Sequence, residues 1–211
     1  MTPDDPPPEA AIAVFAKAPV PGEVKTRLAG VLGMDAAASL HTGLVRHALA
    51  TAVHARLGPV SLWCTPDASH SFFERCAAEF GVRLEVQQGA DLGERMARAF
   101  ERARTPLLVI GADCPALTQR HLAEAAASLR DADAVFVPAE DGGYVLVGLA
   151  RPVRGLFDEI PWGTAAVMAR TRDRLQRARA RWVELDPLWD VDRPDDYARL
   201  QREGLLAEVL S

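Results

Sequence analysis

The segment PLLVIGADCP, residues 106–115, contains the strongest indication of the fold. Residues 106–110 are entirely apolar, as in a strand that is covered on both faces of its sheet. A glycine and Asp113 follow, and the chain turns at Pro115. The segment therefore predicts a central strand with an acid beyond its carboxyl end, which is where open α/β sheets bind ligands.

Strands and helices alternate on both sides of this segment, which predicts an α/β fold with a mostly parallel sheet between layers of helices. The further strands are predicted at residues 11–16, 60–64, 83–87, 134–138, 144–149 and 182–185, and the helices at 35–56, 69–80, 92–104, 118–130, 164–179 and 194–210. Residues 144–149 follow the preceding strand too closely for a helical crossover. We therefore expect them to run antiparallel or to lie elsewhere in the sheet.

Length and composition indicate one domain over residues 11–211, preceded by an acidic, proline-rich tail at residues 1–10 that we expect to be disordered. The chain has 211 residues, of which 49% are hydrophobic and 25% charged, and its net charge of -5 argues against a general nucleic-acid binder. No apolar run is long enough to cross a bilayer, and no export signal is present, so we expect a cytoplasmic protein. A homodimer is a possible assembly that the sequence leaves open.

Lysine occurs at two positions only, and both lie in the loop that follows the first strand. Lys17, Lys25 and Arg27 share this loop with Gly22 and two prolines, but neither GxxxxGK[ST] nor GxGxxG is present. Turn residues with clustered cations can bind phosphate oxygens through ammonium, guanidinium and backbone N–H groups. We therefore expect phosphate binding here, and the alternative is a solvated surface loop.

Asp113 is the leading candidate for a metal ligand. A carboxylate at the end of a buried strand needs a cation or a hydrogen-bond donor, and Mg²⁺ or Mn²⁺ commonly takes one or two carboxylates together with phosphate oxygens. The alternative is an aspartate that caps a helix or stabilises a turn before Pro115.

Two further acidic segments follow later strands. Asp141 precedes a Gly-Gly pair and could serve as a base toward an acceptor hydroxyl, although the same residues suit a hairpin turn. Asp192 could complete the metal shell, with Asp190 orienting it. Alternatively, both acids could stabilise the N-terminus of the helix that begins near Pro194.

Gly93 and Arg95, in GADLGER, could contact the nucleotide, or this segment could simply connect a strand to its helix. Residues 162–164 could line an acceptor pocket, or Thr164 could cap a helix. We interpret His41, His47 and His54, which share one predicted helix, as structural or exposed.

Cysteine occurs at three positions without the spacing of metal ligands, namely Cys64, Cys76 and Cys114. We interpret the three as reduced thiols.

Five motifs in their order along residues 12–198 resemble one family. They are KAPVPGEVKTRL, GADLGERM, GADCPAL, DGGYVLVGL and DVDRPDD. Together they resemble the nucleotide-diphospho-sugar transferase-like proteins of the unknown-function family 2064, some of which are described as arsenosugar-biosynthesis glycosyltransferases. KTRL and DVDRPDD are also similar to segments of 2-phospholactate guanylyltransferases and molybdenum-cofactor nucleotidyltransferases.

The resemblance implies a GT-A fold, which is Rossmann-like, and an Mg²⁺- or Mn²⁺-dependent transferase with a nucleotide or nucleotide-sugar donor and a small-molecule acceptor. By this resemblance Asp113 and Asp192 correspond to the metal ligands, and Lys17, Lys25 and Arg27 to the phosphate-binding cations. Lys25, Asp113 and Asp141, the last as a base, are the candidate catalytic residues.

Many glycosyltransferases of this fold have Asp-x-Asp at the metal, whereas this chain has Asp113-Cys114-Pro115. The single aspartate is closer to the nucleotidyltransferase pattern and argues against sugar transfer. Glycosyl transfer is the first expectation because of the family resemblance, nucleotidyl transfer is the alternative, and a non-catalytic nucleotide-binding protein is the second alternative.

Overall fold

A computed structural model describes residues 10–103 and 106–210, in which one seven-stranded sheet lies between two layers of helices. The strands are β1 (Ala11–Lys17), β2 (Val60–Thr65), β3 (Arg83–Val86), β4 (Leu107–Gly111), β5 (Ala134–Pro138), β6 (Tyr144–Leu149) and β7 (Trp182–Glu184). Their order across the sheet is β3-β2-β1-β4-β6-β5-β7. The predicted three-layer α/β fold is confirmed.

The helices follow the predicted alternation with strands. They are α1 (Ala29–Leu32), α2 (Met34–His54), α3 (Ser71–Phe80), α4 (Leu92–Arg102), α5 (Gln119–Ser128), α6 (Val167–Ala178), α7 (Pro194–Arg202) and α8 (Leu205–Leu210). The single helix predicted at residues 194–210 is wrong, because the chain breaks at Gly204, whose φ of 75° is outside the helical range. The loop that was predicted to bind phosphate begins after Lys17, because Lys17 is the last residue of β1.

The strand β4 is the middle strand of the seven, as its apolar sequence predicts. Its side chains alternate between the two faces: Leu108 and Ile110 pack with the core of α2, α3 and α5, and Leu107 and Val109 pack with the core of α4 and α6. The strand β6 pairs antiparallel with both β4 and β5, which confirms that residues 144–149 reverse the direction of the chain.

A third, smaller apolar cluster lies beside the carboxyl ends of the strands. It joins residues that are distant in sequence: Leu28, Ala37, Leu40, Leu44, Trp189, Val191, Leu200 and Val209. The helix α8 reaches this cluster by packing its backbone against Gly43, where an added Cβ would lie 2.3 Å from the Val209 carbonyl oxygen. The cluster therefore connects the loop after β1 to the segment after β7.

Most of the predicted N-terminal tail lies outside the described residues, and so does residue 211. Ala10, which we assigned to the tail, is buried, and its N–H donates to the Leu57 carbonyl. No helix within the described ranges is long and apolar enough to cross a membrane.

Candidate functional site

Four polar segments meet at one edge of the sheet. Lys17 ends β1 and Gly111 ends β4, while the hairpin at residues 139–143 joins β5 to β6 at the same edge. The segment at residues 190–192 reaches this edge because the Val191 N–H donates to the Asp113 carbonyl at 2.8 Å. The candidate residues of these four segments are therefore brought to the same edge of the sheet.

Lys25 connects three of these segments. Its side chain is only 4% exposed, and its Nζ lies 2.6 Å from Asp113 Oδ1 and 2.6 Å from the Val191 carbonyl oxygen. Its backbone adopts a left-handed conformation with φ of 48°, which L-residues seldom adopt and which the surrounding contacts must maintain. Buried Val24 and Leu28 flank it and anchor the loop. The structure therefore places Lys25 against the predicted metal ligand.

The two carboxylate oxygens of Asp113 lie in different environments, one buried and one exposed. Oδ1 is buried against Lys25, whereas the side chain as a whole is 46% exposed, so the second oxygen faces outward. Burial by itself would raise the pKa of Asp113, but attraction to Lys25 and His41 outweighs it and lowers the pKa below its usual range. The outward oxygen is thus part of an ionised carboxylate at neutral pH.

The other two cations of the loop also face carboxylates. Arg27 forms an ion pair with Asp192, and Lys17 Nζ lies 3.4 Å from Glu23 Oε2 and 3.0 Å from the Glu23 carbonyl oxygen. Lys17 is more open to solvent than Lys25, with a side chain that is 44% exposed. Each of the three cations predicted in this loop therefore has an acid as its partner.

Asp190 and Asp141 add negative charge to the site. Burial, followed by repulsion from Asp141 and Asp113, raises the pKa of Asp190 to about 6. Asp141 is exposed, and its Oδ1 accepts a hydrogen bond from the Gly143 N–H at 2.9 Å. The predicted hairpin turn and a candidate base thus occur together at this position.

Other residues make the capping hydrogen bonds of the two helices near these acids. Asp196 supplies the cap of α7, since its carboxylate accepts from the backbone N–H groups of Asp192 and Arg193. Thr118 caps α5. The capping hydrogen bonds of α5 and α7 therefore do not come from Asp113, Asp190 or Asp192.

The remaining predicted residues lie apart from the Lys25–Asp113 pair or have other partners. Gly22 is exposed, with φ of 81°, on the outer part of the loop. Arg95 donates from Nε to the Gly89 carbonyl at 3.2 Å. Gly93 packs against the indole of Trp162, because a Cβ at Gly93 would lie 2.9 Å from Trp162 Nε1. The structure thus gives Gly93 a packing contact.

The predicted cap at Thr164 is wrong. The helix α6 begins at Val167, and the Thr164 hydroxyl instead donates to the Pro161 carbonyl within a turn. The cysteine interpretation fits the structure, since all three thiols are buried and free, and burial raises the pKa of Cys114 to about 12.

His41 is the site residue that the sequence interpretation missed. We assigned the histidines of α2 to structural or exposed positions, and His54 is indeed exposed. His41 is buried, and its Nδ1 lies 3.9 Å from Asp113 Oδ1. Burial lowers the pKa of His41, and attraction to Asp113 only partly opposes this effect. A helix pattern shows which face is buried, but it does not show that this face lies behind a particular loop.

The donor set suits a hard divalent cation that also binds substrate phosphates. Within residues 10–103 and 106–210, no three His, Cys, Asp or Glu side chains are grouped so that they alone could hold a metal ion. Asp113 and Asp192 offer two carboxylates on adjoining segments, which matches the one or two protein ligands typical of Mg²⁺. Phosphate oxygens and water would fill the remaining coordination positions of the ion.

Comparisons with known proteins find one family and several similar solved structures. Residues 48–164 match the family DUF2064, described as an uncharacterized protein conserved in bacteria. A solved structure from Desulfovibrio desulfuricans G20, named as a candidate nucleotide-diphospho-sugar transferase, is 31% identical with a TM-score of 0.78, and the match covers 95% of this chain and 98% of that one. No curated protein matches the sequence.

More distant structures share the fold. A nucleotidyl transferase from Methanothermobacter has 17% identity and a TM-score of 0.66, with 94% of this chain and 98% of that chain covered. The inositol-1-phosphate CTP transferase from T. maritima has 10% identity and a TM-score of 0.61, with 94% and 95% covered. At these identities the likeness concerns the fold alone.

Proposed function

Because the chain belongs to the DUF2064 family, we propose that it is a metal-dependent transferase acting on a nucleotide-sugar donor and transferring the sugar to a small-molecule acceptor. The observation that carries this proposal is the pairing of Lys25 with Asp113 and of Arg27 with Asp192. Two cations suited to phosphate lie against two carboxylates suited to a divalent ion. The relative with 31% identity, named for a nucleotide-diphospho-sugar substrate, supports this choice of donor.

The two ion pairs indicate how the donor would bind. Asp113, through its outward oxygen, and Asp192 would hold the divalent ion, and sharing their charge with it would weaken their pairing with Lys25 and Arg27. The released cations could then contact the donor phosphates, while Lys17 would exchange Glu23 for phosphate in the same way. Bound metal supplies Lewis-acid stabilisation of the phosphate charge that develops as the diphosphate leaves.

Asp141 is the proposed base of the transfer step. It is exposed at the edge of the sheet, and its carboxylate is oriented by the Gly143 N–H. In the proposed reaction the acceptor oxygen forms a bond to the anomeric carbon, and the bond from that carbon to the diphosphate oxygen breaks. The acceptor proton passes to Asp141, and Lys17, Lys25 and Arg27 stabilise the charge on the departing diphosphate.

Nucleotidyl transfer is the second candidate, and a specific feature favours it. The position that would carry the second acid of Asp-x-Asp is occupied by Pro115, which is buried. The second carboxylate instead comes from residues 190–192, outside the β4 loop. In that reaction a substrate phosphate would attack the α-phosphorus of a nucleoside triphosphate, and pyrophosphate would leave.

The decisive experiment is a product assay with Mn²⁺ or Mg²⁺ over a panel of nucleotide sugars and nucleoside triphosphates with phosphorylated acceptors. Release of a nucleoside diphosphate from a nucleotide sugar supports glycosyl transfer, whereas release of pyrophosphate from a triphosphate supports nucleotidyl transfer. Tight nucleotide binding without turnover across the panel would identify a non-catalytic binding protein and contradict the proposal.

Asp113→Asn tests the site itself. Removing the charge while keeping the shape should lower turnover by about 10²- to 10³-fold, the range found when one group that stabilises transition-state charge is lost. Asp131→Asn provides the matched control, because Asp131 is an exposed aspartate between α5 and β5. Equal activity of the two variants would show that Asp113 is not part of the active site.

A further inference from the structure

The side chain of His41 lies behind the site, between the end of β1 and the end of β4. It is 7% exposed, and its Nε2 is 2.9 Å from the Lys17 carbonyl oxygen. A carbonyl oxygen can only accept, so Nε2 must carry a proton and donate it. This bond fixes the orientation of the ring and leaves Nδ1 as the atom directed toward Asp113.

The Nδ1 atom is buried and has no hydrogen-bond partner among the described residues. Its distance of 3.9 Å from Asp113 Oδ1 is too long for a hydrogen bond. A buried polar atom without a partner is costly and uncommon, so its retention calls for an explanation. Nδ1 is directed toward Asp113 Oδ1, and that oxygen is already bound by the Lys25 ammonium group at 2.6 Å.

We infer that His41 is a positioning residue for Asp113, an inference that rests on the metal-dependent function proposed above. Lys25 and the His41 ring lie on the side of the inner oxygen of Asp113, which leaves the outer oxygen available to a divalent cation. The same ring holds the carbonyl of Lys17, where the phosphate-binding loop begins. His41 thus sets the metal-binding carboxylate relative to the start of that loop, without contacting substrate.

Two substitutions separate the two contacts of the ring. His41→Gln can donate an amide N–H to the Lys17 carbonyl but has no atom at the Nδ1 position. His41→Asn places an amide near the Nδ1 position but does not reach Lys17. His54→Gln is the matched control, because His54 lies on the same helix and is exposed.

The measurement is Mn²⁺ affinity, followed by electron paramagnetic resonance of the free ion, together with the melting temperature of the metal-free protein. We expect His41→Gln to weaken Mn²⁺ binding by about 10- to 100-fold, the usual effect of losing a group that orients a metal ligand. Its melting temperature should stay near that of His54→Gln, because the Lys17 contact is retained. His41→Asn should lower both Mn²⁺ affinity and melting temperature.

A second readout needs no substitution. In the wild-type protein, nitrogen NMR of the imidazole should show a proton on Nε2, and addition of Mg²⁺ should shift the Nδ1 resonance more than the Nε2 resonance. Unchanged Mn²⁺ affinity in His41→Gln, or an Nδ1 resonance that does not respond to Mg²⁺, would overturn the inference while leaving the proposed function in place. Direct nitrogen coupling to bound Mn²⁺ would also overturn it, because His41 would then be a ligand. Failure of the wild-type protein to bind Mn²⁺ would instead overturn the proposed metal site, and the inference with it.

Discussion

At the scale of single residues, charge pairing is the main feature of the site. Lys25 is almost fully enclosed and touches both Asp113 and the Val191 carbonyl, so its removal would leave a carboxylate oxygen and a backbone oxygen without their donor. Arginine would not replace it well, because a planar guanidinium is larger than the ammonium group and binds in a fork-shaped geometry. This fits the presence of lysine at position 25 in a chain whose basic residues, apart from Lys17 and Lys25, are arginines and histidines.

Asp190 provides a prediction about pH. Its pKa of about 6 in the folded chain exceeds the value of about 3.9 expected for an unfolded aspartate, so the folded state holds this proton more tightly. The stabilisation from this group is therefore complete below about pH 4 and is lost as the pH rises to about 6. We predict that Asp190→Asn, which cannot ionise, gains stability relative to the wild-type protein over this interval and keeps a constant advantage from pH 6.5 to 8.

Urea unfolding of the metal-free protein at a series of pH values measures this difference. Asp131→Asn serves as the control for loss of one exposed carboxylate. A stability difference between Asp190→Asn and the wild-type protein that does not change between pH 4 and 6.5 would show that burial and the neighbouring carboxylates do not raise the pKa of Asp190. Saturating Mg²⁺ should reduce the wild-type pH dependence, because a bound cation offsets the charge of the neighbouring acids.

At the scale of secondary-structure elements, the positions of most strands and helices could be predicted from the sequence. The apolar run of β4 and the short connection before β6 contain local information about burial and strand direction. The interruption between α7 and α8 was missed, because a single glycine in a helical pattern is compatible with a continuous helix. The contacts of His41 at the site were missed for a different reason, namely that they come from residues 24 and 72 positions away.

The contact between α4 and the loop before α6 leads to a prediction about Gly93. A Cβ there would lie 2.9 Å from the Phe157 carbonyl oxygen and from Trp162 Nε1. Gly93→Ala should therefore displace the indole and destabilise the protein by about 1–3 kcal/mol, as overpacking of a filled contact does. Gly30→Ala is the control, because a Cβ at Gly30 would meet nothing within 4 Å.

Denaturant unfolding with tryptophan fluorescence as the signal tests the expected effect of Gly93→Ala. Nucleotide affinity, measured on the folded variant, separates packing from ligand contact. If Gly93→Ala lost nucleotide binding but kept wild-type stability, Gly93 would belong to the nucleotide site, as the sequence motif alone had suggested. A loss of stability with little loss of affinity is the result that the packing geometry predicts.

At the scale of the whole molecule, the small apolar cluster beside the sheet edge joins the two halves of the site. Leu28 belongs to the loop after β1, and Val191 lies between Asp190 and Asp192, and both are fully buried in this cluster. The ion pairs Lys25–Asp113 and Arg27–Asp192 therefore connect segments that the core already holds in place. Binding can then change the partners of these charges without any large movement of the backbone.

The exchange of ion-pair partners predicts that metal and nucleotide strengthen each other's binding. Under the proposed function, a nucleotide without metal would compete with Asp113 and Asp192 for Lys25 and Arg27, and metal held by these carboxylates would reduce the competition. Saturating Mn²⁺ should therefore raise nucleotide affinity by a factor within the usual range for such coupling, about 5- to 150-fold, and nucleotide should raise Mn²⁺ affinity by the same factor.

Asp192→Asn tests this mechanism by releasing Arg27 without metal. Calorimetric titration should show tighter metal-free nucleotide binding than in the wild-type protein, together with a smaller coupling between Mn²⁺ and nucleotide. Glu184→Gln is the matched control, since it disrupts the Arg172–Glu184 ion pair on α6 and β7. If Asp192→Asn kept the wild-type coupling factor, the two ligands would communicate only through their direct contact, and the ion pairs would have no part in it. A reduced factor with Glu184→Gln unchanged would show that Asp192 holds Arg27 until metal takes the place of Arg27.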